Sequence, residues 1–286
     1  MKKDIKLNDP KIKLFLHMTA IQAEKAASVK QRVESAVIPI FNFNKSRHQW
    51  EQNGSAVALE VDGIYFLLTA AHVFNPDDKN RLWIGIGSAI TPLIGSSITS
   101  ARDKSGKHLE DSLDAGVLHI QSEIPDDLRD ISLTLNDIDL QDIDDNGCVH
   151  IVSGYRASVS KIRVGRAEGK REIFVSREID ENQYDSLGMD RSKNLCIAYH
   201  DQNVVNGKWQ TSPTPKGFSG GAVVKIHGIP AVLYSTSIED LSSAKQLLTG
   251  ITIAQRREKS GNPGVLISTR IKTHLEMIKL IFPRLL

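Results

Sequence analysis

The sequence predicts an all-β fold with a helix at each end. Three observations lead there. Short β-rich runs recur between turn-forming residues, helical periodicity is confined to the two termini, and the strand–helix alternation of a parallel sheet is missing. The first helix spans about residues 9–33, where Ile12, Phe15, Leu16, Ala20, Ala23, Ala26 and Ala27 recur at helical spacing. Asp9 followed by Pro10 caps it, with proline in the first helical position. After Val33 the period changes, and Val37, Ile38, Ile40, Phe41 and Phe43 form a strand. Residues 56–61 and 64–68 form a hairpin turning on Asp62-Gly63. Residues 82–86 and 116–120 are further strands.

Residues 126–146 are rich in aspartate and mark a linker between two domains, 34–125 and 147–286, that follow an N-terminal helical extension, 1–33. Ile131, Leu133, Leu135, Ile138 and Leu140 suggest that the linker packs along a surface. Strands resume at 148–152, 158–160, 172–175, 195–199, 222–226 and 231–234. The chain closes with a helix over about 269–282, its apolar face formed by Ile271, Leu275, Ile278 and Phe282.

Composition narrows the function. With 286 residues and a net charge of +2, the chain lacks the basic excess of a nucleic-acid binder. The cluster Gln255-Arg256-Arg257-Glu258-Lys259 reads as a solvated loop. Charges at Asp4, Lys6 and Asp9 interrupt any signal-peptide core, and no apolar run is long enough to span a membrane. Cys148 and Cys196 sit in apolar runs and cannot supply a multi-disulfide framework, which suits a reducing, cytoplasmic setting, with a single disulfide between the two as the alternative. Asp142, Asp144, Asn146 and Gly147 match the first half of a calcium loop, but Ser153 stands where the closing glutamate belongs, so a solvated acidic turn is the reading and no metal is expected. No organic cofactor is implied either.

Three segments carry chemistry: Leu68-Thr69-Ala70-Ala71-His72-Val73, Leu113-Asp114-Ala115-Gly116-Val117-Leu118 and Lys216-Gly217-Phe218-Ser219-Gly220-Gly221. Each alone has an ordinary explanation: a capping histidine, a strand-start carboxylate (with Asp111 as competitor), a serine in a glycine-rich turn. Their conjunction in the order His, Asp, Ser carries the argument. That order separates them from subtilisin-like enzymes, which run Asp, His, Ser, and from α/β-hydrolases, which run Ser, Asp, His.

These segments resemble those of the trypsin-like, chymotrypsin-fold serine peptidases, in their bacterial stand-alone form, over residues 33–282. The resemblance implies two six-stranded antiparallel β-barrels with His72 and Asp114 on the first and Ser219 on the second. It implies a catalytic triad of His72, Asp114 and Ser219, an oxyanion hole from the backbone of Gly217 and Ser219, and peptide-bond hydrolysis through an acyl-enzyme. The specificity pocket maps to Thr211–Thr214, Pro213 in particular, and to a later strand at Tyr234, Ser235, Thr236 and Ser237. No acidic residue stands at Pro213, although Glu239 or Asp240 could approach, so small or apolar side chains are the expected preference. Phe218 stands where the family often has Asp, and no Ile-Val-Gly-Gly-like start precedes His72. The enzyme is therefore expected to fold active or to answer to a protein partner that touches the N-terminal helix. Protein or peptide substrates are expected, and nucleic acid and membrane are not. A non-catalytic or latent binding module on the same fold is the alternative.

Overall fold

The computed structural model describes residues 7, 9–29, 31–74, 80–87, 89–100, 112–141, 148–157, 161–163, 166–205, 208–227, 244–259 and 262–286. Helix α1 (Pro10–Ser28) starts as its sequence requires: the Asp9 carboxylate accepts from the Lys11 N–H at 2.8 Å. It ends sooner than expected, because Val29 turns extended, and a second short helix α2 (Arg32–Ser35) follows.

The first sheet contains β1 (Val37–Asn44), β2 (Gln49–Val61), β3 (Ile64–Ala70), β4 (Arg81–Ile86), β5 (Ala89–Thr99) and β6 (Ala115–Ile120) in the order β4-β1-β2-β3-β6-β5. Pairing of β4 with β5 closes these six strands into an antiparallel barrel. The β2–β3 hairpin turns on Asp62 and Gly63, both at positive φ, as an Asp-Gly pair in a tight primed turn must be. The acidic segment does pack. It forms α3 (Asp126–Ile131), bridges β2 through Leu133, and buries Leu128, Leu133 and Ile138, while Leu140 stays exposed. Asp139 is buried against the Lys225 ammonium at 3.4 Å. The calcium-like residues 142–147 lie outside the described part of the chain, and Ser153 is buried in the next strand.

That strand is β7 (Val149–Tyr155), and the hairpin β8 (Lys161–Arg163)–β9 (Arg166–Glu168) follows. The hairpin joins the first sheet beside β5, although it lies past the expected domain boundary at residue 147. The second sheet adds β10 (Arg171–Ser176), β11 (Asn194–Ala198), β14 (Ala222–His227), β15 (Lys245–Arg256) and β16 (Val265–Arg270), in the order β10-β7-β14-β15-β16-β11. Two closed barrels were expected. Among the described residues this sheet's outer strands share no ladder and meet through the isolated bridge Glu178↔Ile197, just beyond the end of β10, and the Ser176 hydroxyl on the Ala198 carbonyl at 2.7 Å, so it is a curved sheet brought close to closure. Helix α4 (Glu181–Leu187) precedes β11, and β12 (Gln202–Val205) and β13 (Lys208–Thr211) form a separate hairpin. The expected strand at 231–234 lies outside the described residues. The chain ends in α5 (Ile271–Ile281), two residues later than the periodicity suggested because β16 claims Thr269 and Arg270.

The sheets face each other across a shared core. Val57, Leu59, Phe66 and Val117 of the first meet Val149, Ile151, Val224 and Ile251 of the second, with Ile278 of α5 closing the end. Apolar contact of this kind is the dominant stabilising term. It also fixes the edges of the two sheets relative to each other, and the candidate site lies there. Among the described residues no helix is long and apolar enough to cross a membrane.

Candidate active site

His72 lies on the short turn Ala71–Val73 that ends β3, and Asp114 immediately precedes β6, the strand paired with β3. Pairing of Ala70 with Ala115 therefore brings the two side by side. The Asp114 carboxylate holds the histidine twice: Oδ1 accepts the His72 backbone N–H at 3.0 Å, and Oδ2 lies 2.5 Å from Nδ1. Asp114 is 7% exposed, whereas the imidazole is 43% exposed. A buried carboxylate thus faces one ring edge and leaves the other toward the cleft. Asp114 sits at φ +38°, a left-handed conformation that aspartate tolerates better than most residues. The surroundings fix it there. Its carbonyl accepts from Ala71 N at 2.7 Å, and the second sheet grips the preceding residues through Asn194 Nδ2 to the Ser112 carbonyl at 2.7 Å and the Thr269 hydroxyl to the Leu113 carbonyl. Asp111, the competing carboxylate, lies outside the described residues.

Ser219 lies in the turn before β14. Gly217 and Gly220 adopt φ +98° and +85°, and a Cβ at Gly220 would come within 1.8 Å of the Ser55 carbonyl oxygen. Only glycine satisfies both conditions. The turn's amides divide sharply. Phe218 N–H donates to Pro215, Gly220 N–H to Thr252 and Gly221 N–H to Phe218, at 3.0, 2.7 and 2.7 Å. The N–H groups of Gly217 and Ser219 have no hydrogen-bond partner among the described residues. In a trans peptide the carbonyl and the N–H point opposite ways. The Lys216 carbonyl is pinned by Ala157 N–H at 2.8 Å and the Phe218 carbonyl by Gly221 N–H, so the Gly217 and Ser219 donors are held pointing away from those partners.

Ser55, a residue to which the sequence reading gave no role, fastens this turn to the first barrel. Its N–H donates to the Ser219 carbonyl at 2.7 Å, its hydroxyl donates to the Gly217 carbonyl and accepts from Tyr155 N–H, both at 3.0 Å, and its carbonyl accepts the Thr69 hydroxyl at 2.7 Å. A lone hydroxyl at the head of the apolar run Ala56-Val57-Ala58-Leu59 is the signal the sequence offers. Gly54 is wedged between the Val73 side chain and the Ser219 carbonyl, which sets the serine beside the histidine turn. The Ser219 hydroxyl itself donates to the Ile253 carbonyl at 3.4 Å, and the structure gives it no hydrogen bond to His72. That contact is long for an O–H···O bond.

The strand running past Ser219 is therefore β15, at Thr252 and Ile253. No strand period announces it in the sequence, and the family resemblance places this wall at Tyr234–Ser237 instead. Ser235, Thr236 and Ser237, like Glu239 and Asp240, lie outside the described residues. Pro213 is exposed on the segment leading to the turn, its carbonyl accepting from the Tyr199 hydroxyl at 2.5 Å.

Behind His72, the α5 residue His274 is wholly buried, with Nε2 3.1 Å from the Thr69 carbonyl. The carbonyl can only accept, so Nε2 carries the proton, and the buried Nδ1 has no partner. Burial pushes the pKa of His274 down to about 4, and does the same to His150 in β7. Between pH 6.5 and about 4 the unfolded chain binds more protons than the folded one, so stability is complete above that window and falls as pH drops through it, by up to about 3 kcal/mol per histidine. Urea midpoints should fall steadily from pH 7 to pH 4.5, and His274→Gln should flatten the slope. A midpoint independent of pH would contradict the buried neutral imidazoles.

No protein-family model matches the chain, and no curated protein matches it. Among solved structures, it is similar to neuropsin, a serine protease expressed in the limbic system of mouse brain. The identity is 18% and the TM-score 0.54, over 88% of this chain and 96% of that one. The likeness establishes a chymotrypsin-like fold. Among the described residues, no group of three or more His, Cys, Asp and Glu side chains is placed to hold a metal ion.

Proposed function

We propose that the chain is a serine endopeptidase with Ser219 as nucleophile, His72 as general base and acid, and Asp114 as the residue that orients His72. The observation that carries this reading is the double hold of Asp114 on His72 beside a glycine turn with two amides unpartnered among the described residues. With Nδ1–H donating to Asp114, the Nε2 lone pair is left to take the serine proton. The Ser219 hydroxyl leaves the Ile253 carbonyl by rotation about one side-chain bond, between staggered positions. Its oxygen then attacks the substrate carbonyl carbon, and the proton passes to Nε2. The carbonyl oxygen, now an anion, accepts from the Gly217 and Ser219 N–H groups. Collapse breaks the C–N bond, Nε2 returns its proton to the departing amine, and an ester to Ser219 remains. Water, activated by the same imidazole, cleaves that ester.

Phe218, 3% exposed, anchors the turn in an apolar cluster, so in this reading activity needs no new N-terminus. A controlling partner would bind α1, which packs on β7 and β10 and exposes Leu14 and Phe15. Restraint by such a partner or by narrow specificity suits a cytoplasmic peptidase. The second reading, a latent or non-catalytic module, draws on the Ser219–Ile253 contact. A fluorophosphonate probe separates the two. The peptidase reading expects covalent labelling of the native chain that disappears in Ser219→Ala and in His72→Ala. Absence of labelling, with or without residues before Val33, would leave the module reading standing.

A further inference from the structure

Beyond the catalytic groups, the structure carries a basic pocket on the path that a bound peptide would take. β15 pairs with β14 only as far as Ile251, opposite Ala222, whereas its pairing with β16 continues to Arg256 opposite Val265. From Ile253 to Arg256 its other edge is therefore unpaired among the described residues. Unpaired strand edges accept extended peptides by main-chain hydrogen bonding. Ile253 marks the nucleophile's end of this edge, because its carbonyl touches the Ser219 hydroxyl. At about 3.3 Å per residue, Arg256 lies about 10 Å further on.

At that far end is a pocket of about 570 Å³, walled by Arg256, Arg257, Lys259 and Glu258 together with Ser186 and Leu187 at the end of α4. Three cations against one carboxylate leave it positive. None of the three makes an ion pair with a carboxylate among the described residues. Arg256 uses Nη1 to hold the Leu187 carbonyl at 2.7 Å, and Arg257 uses Nη2 to hold the Thr214 hydroxyl at 2.9 Å. Both guanidiniums are thereby positioned without being neutralised. Thr214 belongs to the segment that leads into the Ser219 turn, so Arg257 ties the pocket to the site.

We infer that this pocket selects an acidic side chain on the acyl half of the substrate, about three to five residues before the scissile bond. The inference rests on the peptidase reading. There His72, carried by the first barrel, must protonate the leaving amine, so the acyl half runs along the second sheet, on β15. A side chain opposite Arg256 is about three residues from the one beside Ile253, which sets the interval.

The experiment compares matched peptides with Glu or Lys at the third, fourth and fifth positions before the cleaved bond. The native chain should hydrolyse the Glu peptides with about tenfold higher kcat/KM, the scale of two or three partly exposed ion pairs, and the ratio should shrink as salt is raised. In Arg257→Glu/Lys259→Glu, checked for an unchanged unfolding midpoint, the preference should invert. The same peptides are titrated against Ser219→Ala to read binding without turnover. Equal hydrolysis and equal binding of Glu and Lys peptides overturn the inference and leave the peptidase reading intact. Selective binding without hydrolysis or fluorophosphonate labelling of the native chain keeps the pocket's preference and overturns the peptidase reading.

Discussion

In the proposed peptidase, replacing Asp114 with Asn should lower kcat for peptide or ester hydrolysis by about 10⁴ while leaving KM and the unfolding midpoint nearly unchanged. The orientation of the new amide is dictated by its neighbours. The His72 backbone N–H can only donate, and it now donates to one Asp114 oxygen at 3.0 Å. The amide must therefore turn its oxygen to that N–H, which places its NH₂ group against His72 Nδ1, now 2.5 Å from the other carboxylate oxygen. Nδ1 becomes an acceptor, so the ring proton moves to Nε2, the nitrogen that has to be bare to receive the serine proton. The ring stays in place and the wrong tautomer fills it. Packing is barely altered, since Asn and Asp are nearly isosteric. Steady-state kinetics, thermal unfolding and the rate of fluorophosphonate labelling together test this. A variant with native kcat would mean that Asp114 does not set the tautomer, and the assignment of His72 as base would fall with it.

The parts of this site legible in the sequence were those encoded within a few residues. The Asp9-Pro10 cap, the Asp62-Gly63 hairpin and the glycines flanking Ser219 each state a local backbone requirement, and each is met. The pairing of His72 with Asp114 was also within reach, because it needs only two neighbouring strands that start and end at matching positions. What escaped were contacts between distant stretches with no period to announce them. Ser55 reaches Gly217 across 162 residues, and Asn194 reaches Ser112 across 82. β15 escaped for a different reason. Gly250 interrupts its apolar run, and the charges at and just past its end, Arg256-Arg257-Glu258-Lys259, have the composition of a loop, so the sequence does not announce the wall beside Ser219. The β8–β9 hairpin shows the limit of reading domains from composition: its attachment to the first sheet is a tertiary choice. The Ser219 hydroxyl likewise faces the Ile253 carbonyl, a neighbour supplied by β15.

The second large effect concerns Phe218, and there the chain departs from the pattern that it otherwise resembles. Its ring stacks on Phe174 with centroids 6.0 Å apart and packs with Val152, Leu195, Ile197, Val223 and Leu266. Gly154 leaves room for it, since a Cβ there would come within 2.9 Å of the ring. Phe218→Ala should therefore cost about 3–5 kcal/mol, the range for deleting a buried aromatic ring. In the proposed peptidase the loss should reach catalysis as well. Phe218 sits between the Gly217 and Ser219 amides, its own N–H and carbonyl closing the turn on Pro215 and Gly221. Without the anchor these donors lose their fixed aim, and a lost oxyanion donor lowers the rate by about 10²–10³. Phe218→Asp makes the sharper test. A carboxylate in this apolar cluster is desolvated, which raises its folded-state pKa above the unfolded value of about 3.9. The folded variant then binds more protons than its unfolded chain, so its deficit relative to the native chain should widen as pH rises from 4 toward neutrality. Phe218→Leu, which keeps most of the apolar volume, should retain most of the labelling rate. If Phe218→Asp instead matched the native chain in stability and labelling at pH 7, a cation must reach the new carboxylate, and the turn would be held by an ion pair of the kind the native sequence does without.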